Sequence, residues 1–285
     1  MRIGRGLNHN IKWYILAMFA DTHCHLDDRR FQNDLPQVIK RAEDAGLVLM
    51  INSGADMDSS EASVRLAQQY EGFIFANVGL HPNRINELNA QTLKRLRLLS
   101  KNPEVLAIGE IGLDYHWNTF PVWQQKEAFR TQLDLAAEME LPVVIHSRKS
   151  TDDVVEILLE WHAGLPAEHP QKARPGALHS WSDTYEKAKP LIEAGFYFGV
   201  SGPVTYLNAP ERRECTVALP LERILIETDG PYLTPHPLRG KRNEPAYVRK
   251  IVEEVARLHG KTIDETAKIT TQNAFRLYGL RVQAA

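Results

Sequence analysis

The side chains able to bind metals or move protons recur at one kind of place in this chain, the end of a short apolar run. His23 and His25 close FADTHCH, Glu110 lies in VLAIGEIGLD, His146 closes PVVIH, His179 closes GALH, and Glu227 and Asp229 sit in ILIETDGPY. His23 and His25 are two residues apart, so on an extended strand both imidazoles point to the same side and can grip one ion. A lone H-x-H is as often two unrelated histidines; four further donors in equivalent positions favour ligation. An unpaired carboxylate at Glu110, among apolar neighbours, would be costly to bury. A bridge between two cations removes that cost; an ion pair with Arg148 or Lys149 is the plainer alternative. Asp229, the last residue before a Gly-Pro turn, is best placed to reach a metal and its water. Glu227 shares its parity one layer deeper, and Asp21 shares the parity of the two histidines. Both are expected to stand behind the ligands and orient them.

His23, His25, Glu110, His146, His179 and Asp229 are more donors than one ion needs. Two groups around a shared carboxylate make a two-metal centre, and the mixture of imidazole and carboxylate suits Zn, Mn, Fe or Ni. Mg remains possible with weaker ligation, because it prefers oxygen and keeps its waters. The expected chemistry is hydrolysis by a metal-activated water, with Asp229 and Glu110 as the catalytic carboxylates.

Residues so far apart in sequence meet only if the fold brings strand ends together. Buried strands are expected at 19–25, 47–54, 73–82, 105–114, 142–147, 176–181, 197–202 and 224–232. Amphipathic stretches at 35–45, 59–70, 123–139, 154–161, 184–194 and 248–259 lie between them. Strands alternating with helices imply parallel units, and continuous apolar strands imply a sheet covered on both faces. Eight such units close into a TIM-type (β/α)8 barrel, whose C-terminal strand ends share one mouth. A doubly wound open sheet fits less well, since no GxGxxG follows any strand. A last helix, about 264–277, is expected to pack across the outside of the barrel. The simplest organisation is one domain over 18–285, preceded by an extension, 1–17, upstream of a natural start at Met18.

Composition narrows the partners. Net charge is -2 over 285 residues, too little positive charge for broad, nonspecific duplex binding, so any nucleic-acid contact is confined to a cleft. The apolar stretch WYILAMFA is too short to span a bilayer, and no small-residue cleavage site follows it. Cys24 and Cys215 form no disulfide framework, which suits a reducing, cytoplasmic setting.

DTHCHLD, GLHP, GEIGLDY, VIHSR, a sixth-strand histidine, ETDGPYL and the later RNEP together resemble the TatD family of metal-dependent deoxyribonucleases, from about residue 19 to 280. The resemblance implies an amidohydrolase-like barrel with one metal at His23, His25, Glu110 and Asp229. A second metal would share Glu110 and add His146 and His179. It also implies DNA as the substrate; separately, the near-neutral net charge and a site sunk in a barrel mouth lead to the expectation that single strands or frayed ends are preferred. His116 and the motif HSWSD depart from the family pattern at the rim. His81, Arg148 and Arg242 are expected to contact substrate, with Lys149, Arg239 and Lys241 as further rim cations and Asn243 and Glu244 lining the same mouth. Trp117, Trp181, Tyr206 and Tyr232 are candidates to stack a terminal base. A hydrolase of C–N or ester bonds, including aminoacyl esters on tRNA, is the alternative, since a fold does not dictate its substrate. No membrane or protein partner is evident.

Overall fold

The computed structural model describes residues 18–117 and 119–280; the expected 1–17 extension lies outside the described residues. Eight strands run Phe19–Cys24 (β1), Leu47–Ser53 (β2), Ile74–Val78 (β3), Val105–Asp114 (β4), Val143–Arg148 (β5), Gly176–Leu178 (β6), Tyr197–Val200 (β7) and Ile224–Ile226 (β8). All neighbouring pairs are parallel and follow sequence order from β1 to β8. The ring closes at the chemically active level. Asp229 N donates to His23 O at 2.8 Å and His25 N donates to Gly230 O at 2.7 Å. The architecture is a TIM barrel.

β6 and β8 are shorter than their apolar runs because the residues beyond them leave the sheet to serve the site. Thr228 N donates to Asp21 Oδ1 at 2.9 Å, and Thr228 Oγ1 also donates to that carboxylate. Asp21 thus ties β1 to the segment after β8, and it accepts the His23 backbone N–H at 3.3 Å. It does not orient an imidazole, as its parity had suggested. Burial pushes its carboxyl up to about 7, and the Thr228 bonds work against that rise.

Nine helices are found among the described residues: Leu35–Asp44 (α1), Met57–Gln69 (α2), Ala90–Leu99 (α3), Val122–Met139 (α4), Thr151–Gly164 (α5), Tyr185–Glu193 (α6), Pro210–Ala218 (α7), Val248–Leu258 (α8) and Ile263–Tyr278 (α9). α3 and α7 were not anticipated. Each buries only two side chains, Thr92 and Leu96 in one and Cys215 and Thr216 in the other, so neither carries a broad apolar stripe. The one local signal for α3 is Asn89, whose side chain caps Gln91 N and Thr92 N.

Two apolar layers result. One fills the space between strands and helices. The other fills the barrel, where Leu49, Phe75, Leu106 and Leu225 meet Phe275, Leu277 and Tyr278 of α9. α9 lies against β1 and β8, and the side chains of its last turn pack onto the apolar residues of the barrel interior. It stoppers the N-terminal mouth, which leaves the C-terminal mouth for chemistry. No helix among the described residues is long and apolar enough to cross a membrane.

The loop carrying Asp229 is held by Asn243, which is fully buried. Its Nδ2 donates to Thr228 O at 2.8 Å and to Tyr232 O at 2.6 Å, and its Oδ1 accepts Glu244 N at 2.9 Å. Asn243→Ala strands these groups without partners and is expected to destabilise the protein by about 2–4 kcal/mol. Urea denaturation reads this directly, and a loss under about 0.5 kcal/mol, the range of an ordinary surface change, would contradict it.

Candidate metal centre

His23 and His25, on and just after β1, point their Nε2 atoms to one spot, 3.3 Å apart. His25 Nδ1 lies 3.0 Å from Ser53 O. A carbonyl only accepts, so Nδ1 keeps its proton and Nε2 is the nitrogen left to face the centre. His23 Nδ1 contacts Ser53 Oγ at 3.2 Å, and that oxygen is itself fixed by Asn77 Nδ2 at 3.0 Å. One residue at the end of β2 therefore orients both imidazoles.

Glu110, on β4, is buried with its two oxygens divided between two sides. Oε2 lies 3.6 Å from His23 Nε2, and Oε1 lies 2.8 Å from His146 Nδ1. The other nitrogen of His146 faces Asp114 Oδ2 at 3.1 Å. Asp229, after β8, has φ 56, in the left-handed region that few non-glycine residues adopt. That turn sets its carboxylate 3.3 Å from His25 Nε2, 4.0 Å from His23 Nε2 and 3.9 Å from His179 Nε2.

His179 follows β6 and stacks on His23 with centroids 3.6 Å apart. Its Nδ1 is 2.9 Å from Glu227 Oε1 without hydrogen-bond alignment, while that oxygen accepts Ser180 N. Glu227 fits there because residue 199 is glycine: a Cβ at that position would collide with the Glu227 carboxylate. The deeper placement read from strand parity is the one observed.

Three trios of donor atoms, each within 4.8 Å of one another, occur among the described residues: His23–His25–Glu110, His23–His179–Asp229 and His81–Asp114–His146. The trio Glu110–His146–His179, expected for the second metal, is not one of these. His146 is drawn onto Glu110 and Asp114, and His179 faces Asp229.

Electrostatics follow the geometry. Burial resists charge on His25, but Asp229, then Glu110, lift it to about 9. Burial likewise resists charge on His179, and Glu227 and Asp229 lift it to about 10. His23 is pushed down by burial and by neighbouring His179. Burial would raise the carboxyls of Glu110 and Asp229, yet His146 and His23 hold the first well below the usual range, and His25 and His179 lower the second. The carboxylates are ionised and ready to ligate. These donors fit divalent transition-metal ions: imidazole nitrogens converge with ionised carboxylates, and the outward nitrogens of His23, His25 and His146 have fixed partners.

His81, after β3, lies beside this cluster. Its Nδ1 accepts Asn83 N at 3.1 Å, so the proton of the neutral ring is on Nε2, 4.0 Å from Glu110 Oε1. Burial, then His146, push His81 down to about 3, which makes it a neutral donor facing the cleft. The cleft has a volume of about 450 Å³ and is bordered by Arg84, Trp117, Arg148 and Tyr232.

The remaining expected contacts lie elsewhere. Arg242 donates to Asp34 at 2.7 Å and to Glu244 at 2.9 Å, so its guanidinium is engaged away from the cleft, and Glu244 also pairs with Arg41. Asn243 is a buried clasp, not a lining residue. Trp181 is a core residue packed edge-on against Phe198, and Tyr206 lies under Arg239, with the guanidinium carbon 4.0 Å from the ring centroid. Sequence reasoning missed Asp114, Ser53 and Arg84. Only Asp114 had a visible signal, four residues after Glu110 on the same strand.

Asp114→Asn keeps the oxygen that accepts the His116 and Trp117 N–H groups but removes the acceptor for His146 Nε2. Losing such an orienting partner typically costs 10–100-fold in metal affinity or activity. Metal titration should show weaker binding on the His146 side; unchanged affinity would contradict the assignment.

The family model for TatD related DNase matches residues 20–279. The metal-dependent hydrolase YabD of Bacillus subtilis is 41% identical over 261 residues, covering 92% of this chain and 99% of its own. The 3'-5' ssDNA/RNA exonuclease TatD of Erwinia amylovora is 35% identical over 265 residues, covering 91% and 99%. The crystal structure of YJJV, a TatD homolog from Escherichia coli, matches with a TM-score of 0.82 at 29% identity, covering 92% of this chain and 98% of that one. The chain belongs to the TatD family of metal-dependent hydrolases.

Proposed function

We propose that this protein is a two-metal phosphodiesterase that removes nucleotides from the ends of single-stranded or frayed DNA. The observation that carries the reading is Glu110. Its buried carboxylate offers one oxygen to the His23 side and the other to the His146 side, the arrangement a bridging ligand requires. We assign His23, His25, Glu110 and Asp229 to one cation and Glu110, His146 and His179 to the other. Bound there, divalent ions supply Lewis acidity, making a water more acidic and neutralising charge on phosphoryl oxygens.

The chain's own groups do the rest. Asp229 orients the water and accepts its proton. His81 donates a neutral N–H toward a phosphoryl oxygen, and Arg148 at the rim meets the backbone phosphate. A recessed cleft of this size admits a strand end more readily than a duplex interior. The name of the Erwinia relative supports a substrate among single-stranded nucleic acids. A cytoplasmic setting suits two buried, unpaired thiols, Cys24 and Cys215.

The test compares nucleotide release from single-stranded DNA with nicking of closed circular duplex, in several divalent metals and in EDTA. Stepwise, metal-dependent release from the single strand is expected, with the closed circle left intact. Rapid internal nicking would overturn the end preference. Hydrolysis of aminoacyl or amide substrates with no DNA turnover would replace the phosphodiesterase reading with the amidohydrolase one.

A further inference from the structure

Two aromatic rings stand exposed on opposite sides of the cleft. Trp117, 63% exposed, follows β4, and Tyr232, 47% exposed, follows β8, strands that face each other across an eight-stranded barrel. Each ring is backed by an arginine, Arg148 at 5.4 Å from the Trp117 centroid and Arg30 at 4.1 Å from that of Tyr232. Each is also keyed to the metal-binding side chains. Tyr232 meets His25 edge-on at 6.0 Å. Trp117 N donates to Asp114 at 3.1 Å, the same carboxylate that contacts His146. A base stacked on either ring would therefore hold its nucleotide in register with the centre.

The two sides differ in charge. On the Tyr232 side Arg30 is neutralised by Asp28 through contacts of 2.9 Å and 2.8 Å, and Asp28 also accepts the Tyr232 hydroxyl at 3.3 Å. Asp27 lines the same wall. On the Trp117 side, the Arg148 guanidinium has no carboxylate partner among the described residues, and exposed Arg84 approaches Asp56 only to 3.8 Å. An acidic wall suits a nucleoside whose free end is a hydroxyl; a wall with free guanidinium suits a continuing, phosphate-bearing strand.

Resting on the phosphodiesterase reading, we infer that Tyr232 stacks the terminal base and Trp117 stacks the base next to it. The scissile phosphate then lies between them over the metal-binding side chains. Only an unpaired end can offer both bases to separate rings.

The experiment uses three single-stranded oligodeoxynucleotides: intact, abasic at the terminal position, and abasic at the penultimate one. Each is digested with Mn2+ by the parent enzyme, Tyr232→Ala and Trp117→Ala. On the intact strand each variant should lower kcat/KM roughly 5- to 150-fold, the value of one stacked base. Tyr232→Ala should have no further effect on the terminally abasic strand, and Trp117→Ala none on the penultimate-abasic strand. Full effects of both variants on both abasic strands, or the opposite pairing, overturn the assignment while leaving nuclease activity intact. No release by the parent enzyme from the intact strand overturns the phosphodiesterase reading and this assignment with it.

Discussion

Glu110→Gln is expected to yield a folded protein about 10³-fold or more reduced in kcat/KM. Bound metal contributes several kcal/mol of transition-state charge stabilisation, and each 1.4 kcal/mol is tenfold in rate. Glutamine keeps the volume and leaves β4 paired on both sides. It supplies one oxygen where two are needed, and its amide turns a donor toward either His23 or His146. Both cations should weaken together, unlike the one-sided loss expected for Asp114→Asn. Turnover and metal content measured on the same preparation check this. A variant retaining both ions and more than a tenth of parental activity would show that Glu110 is not a bridge.

Asp229→Asn should lose about 10²–10⁴ in rate, the usual cost of removing a general base. The substitution is conformationally mild because asparagine is among the few residues that tolerate the left-handed backbone found at this position. Bound metal should persist through His23, His25 and Glu110. Stability without metal should fall slightly, because the His25 contact at 3.3 Å loses its charge. More than a tenth of parental activity would remove Asp229 from its role. Glu227 would not then take over: it is bound to Ser180 N, set beside His179, and enclosed against Gly199.

The sequence already contained the barrel, because the buried strands are largely apolar runs and six of the eight, all but those at 47–54 and 197–202, carry a titratable residue at or near the end. β4 has the limits its apolar run suggested, and the i, i+2 spacing of His23 and His25 placed both rings on one side. The parity of Glu227 and Asp229 also separated the carboxylate facing the cleft from the one behind it. Interactions made through the backbone were not legible. Ser53 orients His25 with its carbonyl oxygen, for which no side-chain pattern exists. Asp21 has the strand parity of a ligand-orienting residue, yet its partner is a threonine 207 residues away, fixed only when the barrel closes. Arg242 reads as a rim cation until Asp34, from a distant loop, arrives at 2.7 Å. The last turn of α9 carries apolar residues that suit an outer face or a barrel interior equally, and only the closed barrel decides between them.

Turnover of single-stranded DNA by EDTA-stripped enzyme, titrated with Mn2+ and followed beside bound metal, tests the two-metal centre most directly. Release of nucleotides should be absent at the start, rise as metal binds and level off near two equivalents per chain, because the proposed ligands divide on either side of the Glu110 carboxylate. Full activity without metal, or a plateau at one equivalent with no second ion bound in the presence of DNA, would contradict it.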